Sequence, residues 1–233
     1  MAAQNINAIV RSWQLSRARD LRTGATRERL NNAEKLIGRT FPSDCHRMTL
    51  EQQLAKLAEF GLKLDDGIAI DDLLYSFGRE DFEPRPFDLI LFVLGVEVER
   101  EPWGRSFCSR VWNFDTECIN STGDYVSIVK RLCQVAGRPD CLNDISDSVD
   151  LDAGQAWLKY KVDGTQRDWP VEVNDDWADT LTLNYVMDDI ERDGSRFYFK
   201  DNGQAKVLFY LDARTAAELN RLSNNTLKPV LGE

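Results

Sequence analysis

The stretch AWLKYKVDGTQRDWPVEV, residues 156–173, has the pattern of a β-hairpin. Apolar and polar residues alternate from Ala156 to Val162, and alternation resumes over residues 169–173. A period of two is typical of a strand with one buried face. Asp163-Gly164 lies between the two halves, and Asp-Gly is a strong signal for a two-residue hairpin turn. The sequence therefore predicts two antiparallel strands joined at this turn.

Residues 179–222 predict a helix, a second hairpin and a further helix. The first helical pattern covers residues 179–192 and ends at Gly194. A turn signal, Asp201-Asn202-Gly203, then separates two apolar runs and predicts the second hairpin. Asp212 is the predicted N-cap of the last helix, which runs through Leu222. This order predicts a small α+β lobe with an antiparallel sheet over residues 143–233.

Residues 1–142 show mostly helical patterns. The predicted helices cover 4–22, 26–37, a segment from Thr49 to Gly61 with Gln52 at the capping-box position, Asp71–Phe77 and Asp124–Gly137. Phe87–Val98 is the most hydrophobic stretch, and its pattern fits a buried helix or a strand equally well. Val96–Glu99 and Val111–Phe114 have the pattern of short strands. We therefore predict an α+β protein with a mostly helical lobe at 1–142 and a domain boundary near residue 142.

The composition is that of a soluble globular protein with an acidic balance. The chain has 233 residues, 42% of them hydrophobic and 29% charged, which is enough to build a sizeable core. Its formal net charge is −10. Binding to nucleic acid requires clustered Lys and Arg, so this balance argues against a nucleic-acid partner. The first forty residues, with a net charge of +5, are the one exception.

The sequence also bears on the location of the protein in the cell and on the redox state of its cysteines. The N-terminus lacks the pattern of a secretory signal, and the longest apolar run, Leu89–Val96, is too short to cross a membrane. We therefore expect a cytoplasmic protein without a membrane partner. The five cysteines have no CxxC spacing, so we expect free thiols in a reducing compartment.

The acidity is local. Residues 147–193 contain thirteen Asp or Glu against four Lys or Arg, a net charge of −9. Trp157, Trp169 and Trp177 lie within the same stretch. Carboxylates beside large aromatic rings favour a binding surface for a basic partner. Solvated acidic loops around a small core have the same composition, so this alternative stays open.

No catalytic or cofactor motif stands out. His46 is the only histidine, and its neighbour Cys45 lies too close in sequence to form a typical nucleophile–base pair with it. The chain has no glycine-rich phosphate loop and no Gly-x-Ser-x-Gly elbow, so we expect no cofactor. Asp115, Glu117 and Asp124 are candidate ligands for Mg²⁺, which would indicate a metal-dependent hydrolase. Helix capping and solvent exposure explain the same carboxylates without a metal.

Two tryptophans are candidates for exposed binding residues. Trp103 lies in a Pro-Trp-Gly turn, and Trp177 follows Asp175 and Asp176. Turn and charged neighbours favour exposure, although a tryptophan in a chain of this size is more often part of the core. Glu97 and Glu99 alternate along a possible strand close to Trp103 and add a second acidic cluster.

Four segments together resemble a known group of proteins. They are PFDLILFVLGVEVEREPWGRSF (86–107), VWNFDTECINSTGDY (111–125), DLDAGQAWLKYKVDG (150–164) and VEVNDDWAD (171–179). Over about residues 40–220 the chain resembles the immunity proteins of bacterial antagonistic toxins, including effectors of type VI secretion. The resemblance implies a cytoplasmic, non-enzymatic protein that binds and neutralises one cognate toxin. A nuclease toxin would offer a basic surface.

The resemblance assigns no individual residue, so the site is predicted from charge and aromatic content. The first candidate is the segment Asp175, Asp176 and Trp177. The further candidates are Asp115, Glu117, Glu97, Glu99 and Trp103. Two other functions stay open: a metal-dependent hydrolase that uses Asp115, Glu117 and Asp124, and a regulatory or scaffold module with another partner.

Overall fold

The described part of the chain is α+β, as the sequence predicts. A computed structural model describes residues 48–203 and 205–231, which contain seven helices and two antiparallel sheets. The helices are α1 (Leu50–Glu59), α2 (Ile70–Leu73), α3 (Arg79–Phe82), α4 (Asp88–Val93), α5 (Asp124–Val135), α6 (Thr180–Ile190) and α7 (Ala213–Leu222). The strands are β1 (Val111–Asp115), β2 (Leu142–Asp150), β3 (Gln155–Val162), β4 (Thr165–Val171), β5 (Ser195–Asn202), β6 (Ala205–Asp212) and β7 (Leu227–Pro229).

Both predicted hairpins are confirmed, but they lie in different sheets. Strands β3 and β4 pair from Ala156↔Val171 to Val162↔Thr165. Asp163 and Gly164 both have positive φ, 49° and 76°, as the favoured two-residue hairpin turn requires. The three-stranded sheet has the order β2-β3-β4, whereas β5 and β6 belong to a four-stranded sheet of order β1-β6-β5-β7. The expectation of one antiparallel sheet for this half of the chain is therefore wrong.

Strand β2 was not predicted, and its sequence shows why. Its residues, LNDISDSVD, are mostly polar and carry a bulge between Asn143 and Ser146, where Asp144 has a φ of 50°. Asp147 occupies an inward-facing position opposite Leu158, where an apolar residue would be expected. The bulge and the buried carboxylate together hide the alternation that identifies a strand.

The expected boundary near residue 142 lies inside one unit. Strand β1 precedes residue 142, yet it pairs with β6 from Val111↔Phe209 to Asp115↔Ala205. Helix α5 also precedes it and packs against β2, β6 and α6. All described residues belong to one compact unit, because these contacts cross the expected boundary. The helices predicted at 4–22 and 26–37 lie outside the described residues, so a mostly helical N-terminal lobe is not shown.

Local signals before residue 142 mark α1 and α5, but α2 ends at Leu73 and not at the predicted Phe77, and α3 was not predicted. Thr49 and Gln52 form the predicted capping box at the start of α1: the Thr49 hydroxyl accepts from the Gln52 N–H at 3.3 Å, and the Gln52 side chain accepts from the Thr49 N–H. The ambiguous apolar stretch contains helix α4. The predicted strand Val96–Glu99 forms only an isolated bridge, between Glu97 and Ser106.

A buried polar network ties the three-stranded sheet to α6. Tyr160 is fully buried, and its hydroxyl donates to Asp189 Oδ2 at 2.7 Å and accepts from Trp169 Nε1 at 3.1 Å. Arg167 donates to both Asp189 oxygens at 2.9 Å. Burial raises the pKa of Asp189, but the hydrogen bonds from Arg167 and Tyr160 lower it by a larger amount. The pKa of Asp189 therefore lies below its usual value.

Candidate functional site

Two acidic segments that lie far apart in sequence are joined through their backbones. The segment after β1 and the segment before α6 form an antiparallel bridge between Glu117 and Trp177. The N–H groups of Cys118 and Ile119 both donate to the Asp176 carbonyl at 2.9 Å, and the Ala178 N–H donates to the Thr116 carbonyl at 2.8 Å. These bonds bring two of the predicted clusters together. We call Asp115, Glu117, Asp175, Asp176 and Trp177 the acidic junction.

A tight turn shapes one side of the acidic junction. The Trp177 N–H donates to the Asn174 carbonyl at 3.1 Å, and Asp175 at the turn has a φ of 52°. Aspartate is one of the few residues other than glycine that tolerate this left-handed conformation. Asp175 is exposed as a result, and 38% of Trp177 remains accessible to solvent. The turn therefore presents a carboxylate and an indole ring that are two residues apart in the sequence, both at the surface.

The acidic junction carries negative charge that the ion pairs of residues 48–203 and 205–231 do not fully neutralise. None of the ion pairs among the described residues includes Glu117, Asp175 or Asp176. Cys118 lies among these groups and reports on their charge. Burial raises the pKa of the Cys118 thiol to about 12, and the charges of Asp115, Asp124 and Asp176 add to the increase.

The charge of the wider acidic stretch is divided between two uses. All four basic residues of 147–193 form ion pairs: Lys159–Asp168, Lys161–Asp144, Arg167–Asp189 and Arg192–Asp163. Asp147 and Asp179 instead accept backbone N–H groups at the starts of α5 and α6. The carboxylates left without an ion pair to any described residue and without a capping role include Glu172, Asp175 and Asp176, which surround the start of α6.

Hydrogen bonds of the buried Tyr125 connect the segment that follows the acidic junction to α5 and β2. Tyr125 is 1% exposed, and its hydroxyl accepts from the Asp179 N–H at 2.9 Å. Burial raises the pKa of Tyr125 to about 12, so the hydroxyl stays neutral at physiological pH. The Tyr125 N–H in turn donates to the Asp147 carboxylate at 2.9 Å. This chain of bonds connects β2, α5 and α6 and holds the surface segments on a rigid base.

An apolar stripe on α6 was missed by the sequence analysis. Leu181 and Tyr185 are 59% and 42% exposed, and residues four apart lie on the same face of a helix. The Tyr185 ring stacks on Trp169 with centroids 4.6 Å apart and an interplanar angle of 17°. We call Leu181, Tyr185 and Trp169 the α6 stripe. The signal was present in the sequence, because Leu183, Val186, Met187 and Ile190 fill the inner face and leave Leu181 and Tyr185 outside it.

The remaining predicted residues lie on a separate turn between α4 and β1. Glu97 bridges to Ser106, and the Val98 N–H donates to the Arg105 carbonyl at 2.7 Å. The Glu99 carboxylate accepts from the Ser76 hydroxyl. Trp103, at the tip, is 67% exposed. Glu97, Glu99 and Trp103 thus form a second surface feature, apart from the segments that build the acidic junction.

Two of the three carboxylates required by the metal hypothesis accept hydrogen bonds from backbone N–H groups. Asp115 accepts from the Glu117 N–H at 3.1 Å, and Asp124 accepts from the N–H groups of Asn120 and Ser121 at 2.8 Å. Within residues 48–203 and 205–231, no group of three or more His, Cys, Asp or Glu side chains is arranged to hold a metal ion. His46 and Cys45 lie outside this range.

Comparisons with protein-family models, with curated proteins and with solved structures found no match. Among the described residues, no helix is both long enough and apolar enough to cross a membrane.

Proposed function

We propose that this chain is a cytoplasmic protein that binds and neutralises a cognate toxin through an acidic surface, without catalysing a reaction itself. The observation that carries the proposal is the acidic junction, in which two separate acidic segments meet beside an exposed tryptophan. The partner we propose is a protein with a basic surface, of which a nuclease effector is the leading example.

Charge and apolar area have different roles in this proposal. Carboxylates without a local counter-ion accelerate the encounter with a basic partner and select its orientation. Large aromatic side chains supply most of the affinity at protein interfaces. Trp177 lies within the acidic junction. Leu181, the first residue of the α6 stripe, lies four residues further along the chain. The surface therefore offers both components within neighbouring segments.

The proposal that the partner is a toxin and the proposal that its binding surface is basic rest on different observations. The resemblance of residues 86–107, 111–125, 150–164 and 171–179 to immunity proteins supports a toxin. The acidic junction supports a partner whose binding face is basic, whatever the activity of that partner. A regulatory or scaffold module would use the same surface, and the identity of the partner distinguishes the two functions.

The experiment measures binding to the product of the neighbouring gene in the genome. The test variant is Asp175→Asn with Asp176→Lys, since asparagine tolerates the positive φ at position 175. The matched control is Asp140→Asn with Asp152→Lys, which changes the net charge equally at two other exposed sites. We expect the test variant to weaken binding by about tenfold or more at low salt, mainly through a slower association rate, and the control by less than about twofold.

Two results would contradict this assignment. Unchanged binding by the test variant would remove Asp175 and Asp176 from the interface. An equal loss in both variants would show that only total charge matters. The hydrolase alternative is tested separately by calorimetry with Mg²⁺ and Mn²⁺: saturable binding at millimolar metal that Asp115→Asn abolishes would favour it.

A further inference from the structure

Two thiols meet where α5 ends and β2 begins. Cys133 is fully buried in the last turn of α5, and Cys141, one residue before β2, is half-buried. Their Sγ atoms are 3.5 Å apart. Both thiols are reduced, so the contact is a hydrogen-bonded pair of groups that can form a covalent bond with a small side-chain movement.

The backbone of the connecting loop imposes this contact. Helix α5 ends in a Schellman motif, in which the Gly137 N–H donates to the Gln134 carbonyl at 2.8 Å and the Arg138 N–H to the Cys133 carbonyl at 2.9 Å. Gly137 has the positive φ, 67°, that the motif requires. The Cys141 N–H then donates to the Arg138 carbonyl at 3.1 Å and turns the chain back towards Cys133.

The two thiols differ in exposure and in the direction in which their pKa values shift. The hydrogen bond between the two thiols lowers the pKa of Cys141, against the effect of burial, and the charges of Arg138 and Arg192 lower it further. The same hydrogen bond, together with burial, raises the pKa of Cys133. The thiolate is the form that acts as a nucleophile, and half-buried Cys141 is the thiol that an incoming disulfide reaches first, because Cys133 is fully buried.

We infer that Cys141 is a site of thiol–disulfide exchange, with Cys133 as its resolving thiol and disulfides of low molecular weight as its reaction partners. The Cys141 thiolate attacks one sulfur of the disulfide, a mixed disulfide forms, and one thiolate leaves. Cys133 then loses its proton and attacks the Cys141 sulfur, which expels the second thiolate. One small disulfide is reduced to two thiols, and the protein gains a Cys133–Cys141 bond.

Access and selectivity both fit this assignment. Cys141 keeps partial exposure to solvent, whereas Cys133 has none, so a small disulfide can approach Cys141 first. Two other cysteines in the described residues serve as internal controls. Burial raises the pKa of Cys108 to about 11 and that of Cys118 to about 12, so both are protonated at neutral pH and react slowly.

The experiment uses the full chain with Cys45→Ser, treated with oxidised glutathione at neutral pH. Intact mass and peptide mapping under non-reducing conditions follow the products. We expect a loss of about two mass units, restored by dithiothreitol, and a bond between Cys133 and Cys141. The Cys133→Ser variant should stop at a glutathione adduct on Cys141, whereas the Cys141→Ser variant should form neither product.

A second measurement keeps the inference testable if a serine variant folds poorly. In the parent chain, iodoacetamide should alkylate Cys141 at least about tenfold faster than Cys108 or Cys118. Equal alkylation rates for the three cysteines would overturn the inference. An adduct on Cys133 instead of Cys141, or no bond between the two after oxidation, would overturn it as well.

Discussion

Asp147 is predicted to be one of the most important polar side chains for stability in the acidic stretch. It is 8% exposed and lies on β2, yet its carboxylate serves the start of α5. Oδ1 accepts from the Gly123 N–H at 2.7 Å, and Oδ2 accepts from the N–H groups of Tyr125 and Val126 at 2.9 and 3.3 Å. The first N–H groups of a helix have no partner within the helix, so this carboxylate replaces an N-cap side chain.

The structure sets the expected cost of Asp147→Ala. Loss of an N-cap acceptor costs about 1 kcal/mol, and loss of a partly buried negative charge at a helix N-terminus costs up to about 2 kcal/mol. The buried Tyr125 N–H would then lack a partner, at a cost of about 1–3 kcal/mol that overlaps with the first two. We expect a total loss of about 3 kcal/mol. Asp147→Asn keeps one acceptor oxygen and should lose about half as much.

Urea unfolding followed by tryptophan fluorescence measures this loss. For a slope of about 2 kcal/mol/M, Asp147→Ala should lower the midpoint by about 1.5 M with the slope unchanged. Asp152→Ala is the matched control, because Asp152 is exposed in the turn after β2, and its variant should stay within about 0.5 kcal/mol. If Asp147→Ala is as stable as the control, the carboxylate does not cap α5 and the reasoning is refuted.

Three further predictions concern pH, the α5 terminus and the potential at the acidic junction. Asp189→Asn should cost about 2 kcal/mol at neutral pH, because Arg167 pairs with the carboxylate. The folded-state pKa of Asp189 lies below 3.8, so the stability difference between the wild type and Asp189→Asn is fully present above pH 3.8. It should vanish as the pH falls through the folded-state pKa, and unfolding at a series of pH values measures this loss. Gly137→Ala should cost at least about 1 kcal/mol, because φ is 67° and the new Cβ would displace the Arg110 guanidinium; an unchanged melting temperature would contradict this. Asp176→Asn should lower the pKa of Cys118 and speed its alkylation at alkaline pH, and an unchanged rate would show that Asp176 does not contribute to the local potential.

Elements whose signals lie in adjacent residues were predictable from the sequence. Asp163-Gly164 has the φ values that its hairpin turn requires, and Thr49 forms the expected capping box. Asp212 likewise caps α7 by accepting from the Thr215 N–H at 2.9 Å. Each of these signals acts over three residues or fewer. A short-range pattern is sufficient where the physical interaction is itself short-range.

Interactions between distant segments were not predictable in this way. Strand β1 pairs with β6 from Val111↔Phe209 to Asp115↔Ala205, and no local pattern marks a contact between segments so distant in sequence. This pairing places the described parts of the two expected lobes in one unit. The bridge between Glu117 and Trp177 is of the same kind: each segment was identified separately as acidic, but their contact appears only in the structure. Similarly, nothing next to Asp147 in sequence indicates that it caps α5.

The way in which the charges of residues 147–193 are paired is more informative about binding than their net charge. The basic residues of 147–193 are all matched to carboxylates on the sheets and on α6, so those charges contribute little to the field outside the protein. Glu172, Asp175 and Asp176 lie in the connection between β4 and α6, and they repel one another without an ion pair to any described residue. A basic partner that docks there removes this repulsion and covers Trp177 in the same step. Because exposed charges are screened by salt whereas buried aromatic contacts are not, raising the ionic strength should slow association with the partner more than it speeds dissociation.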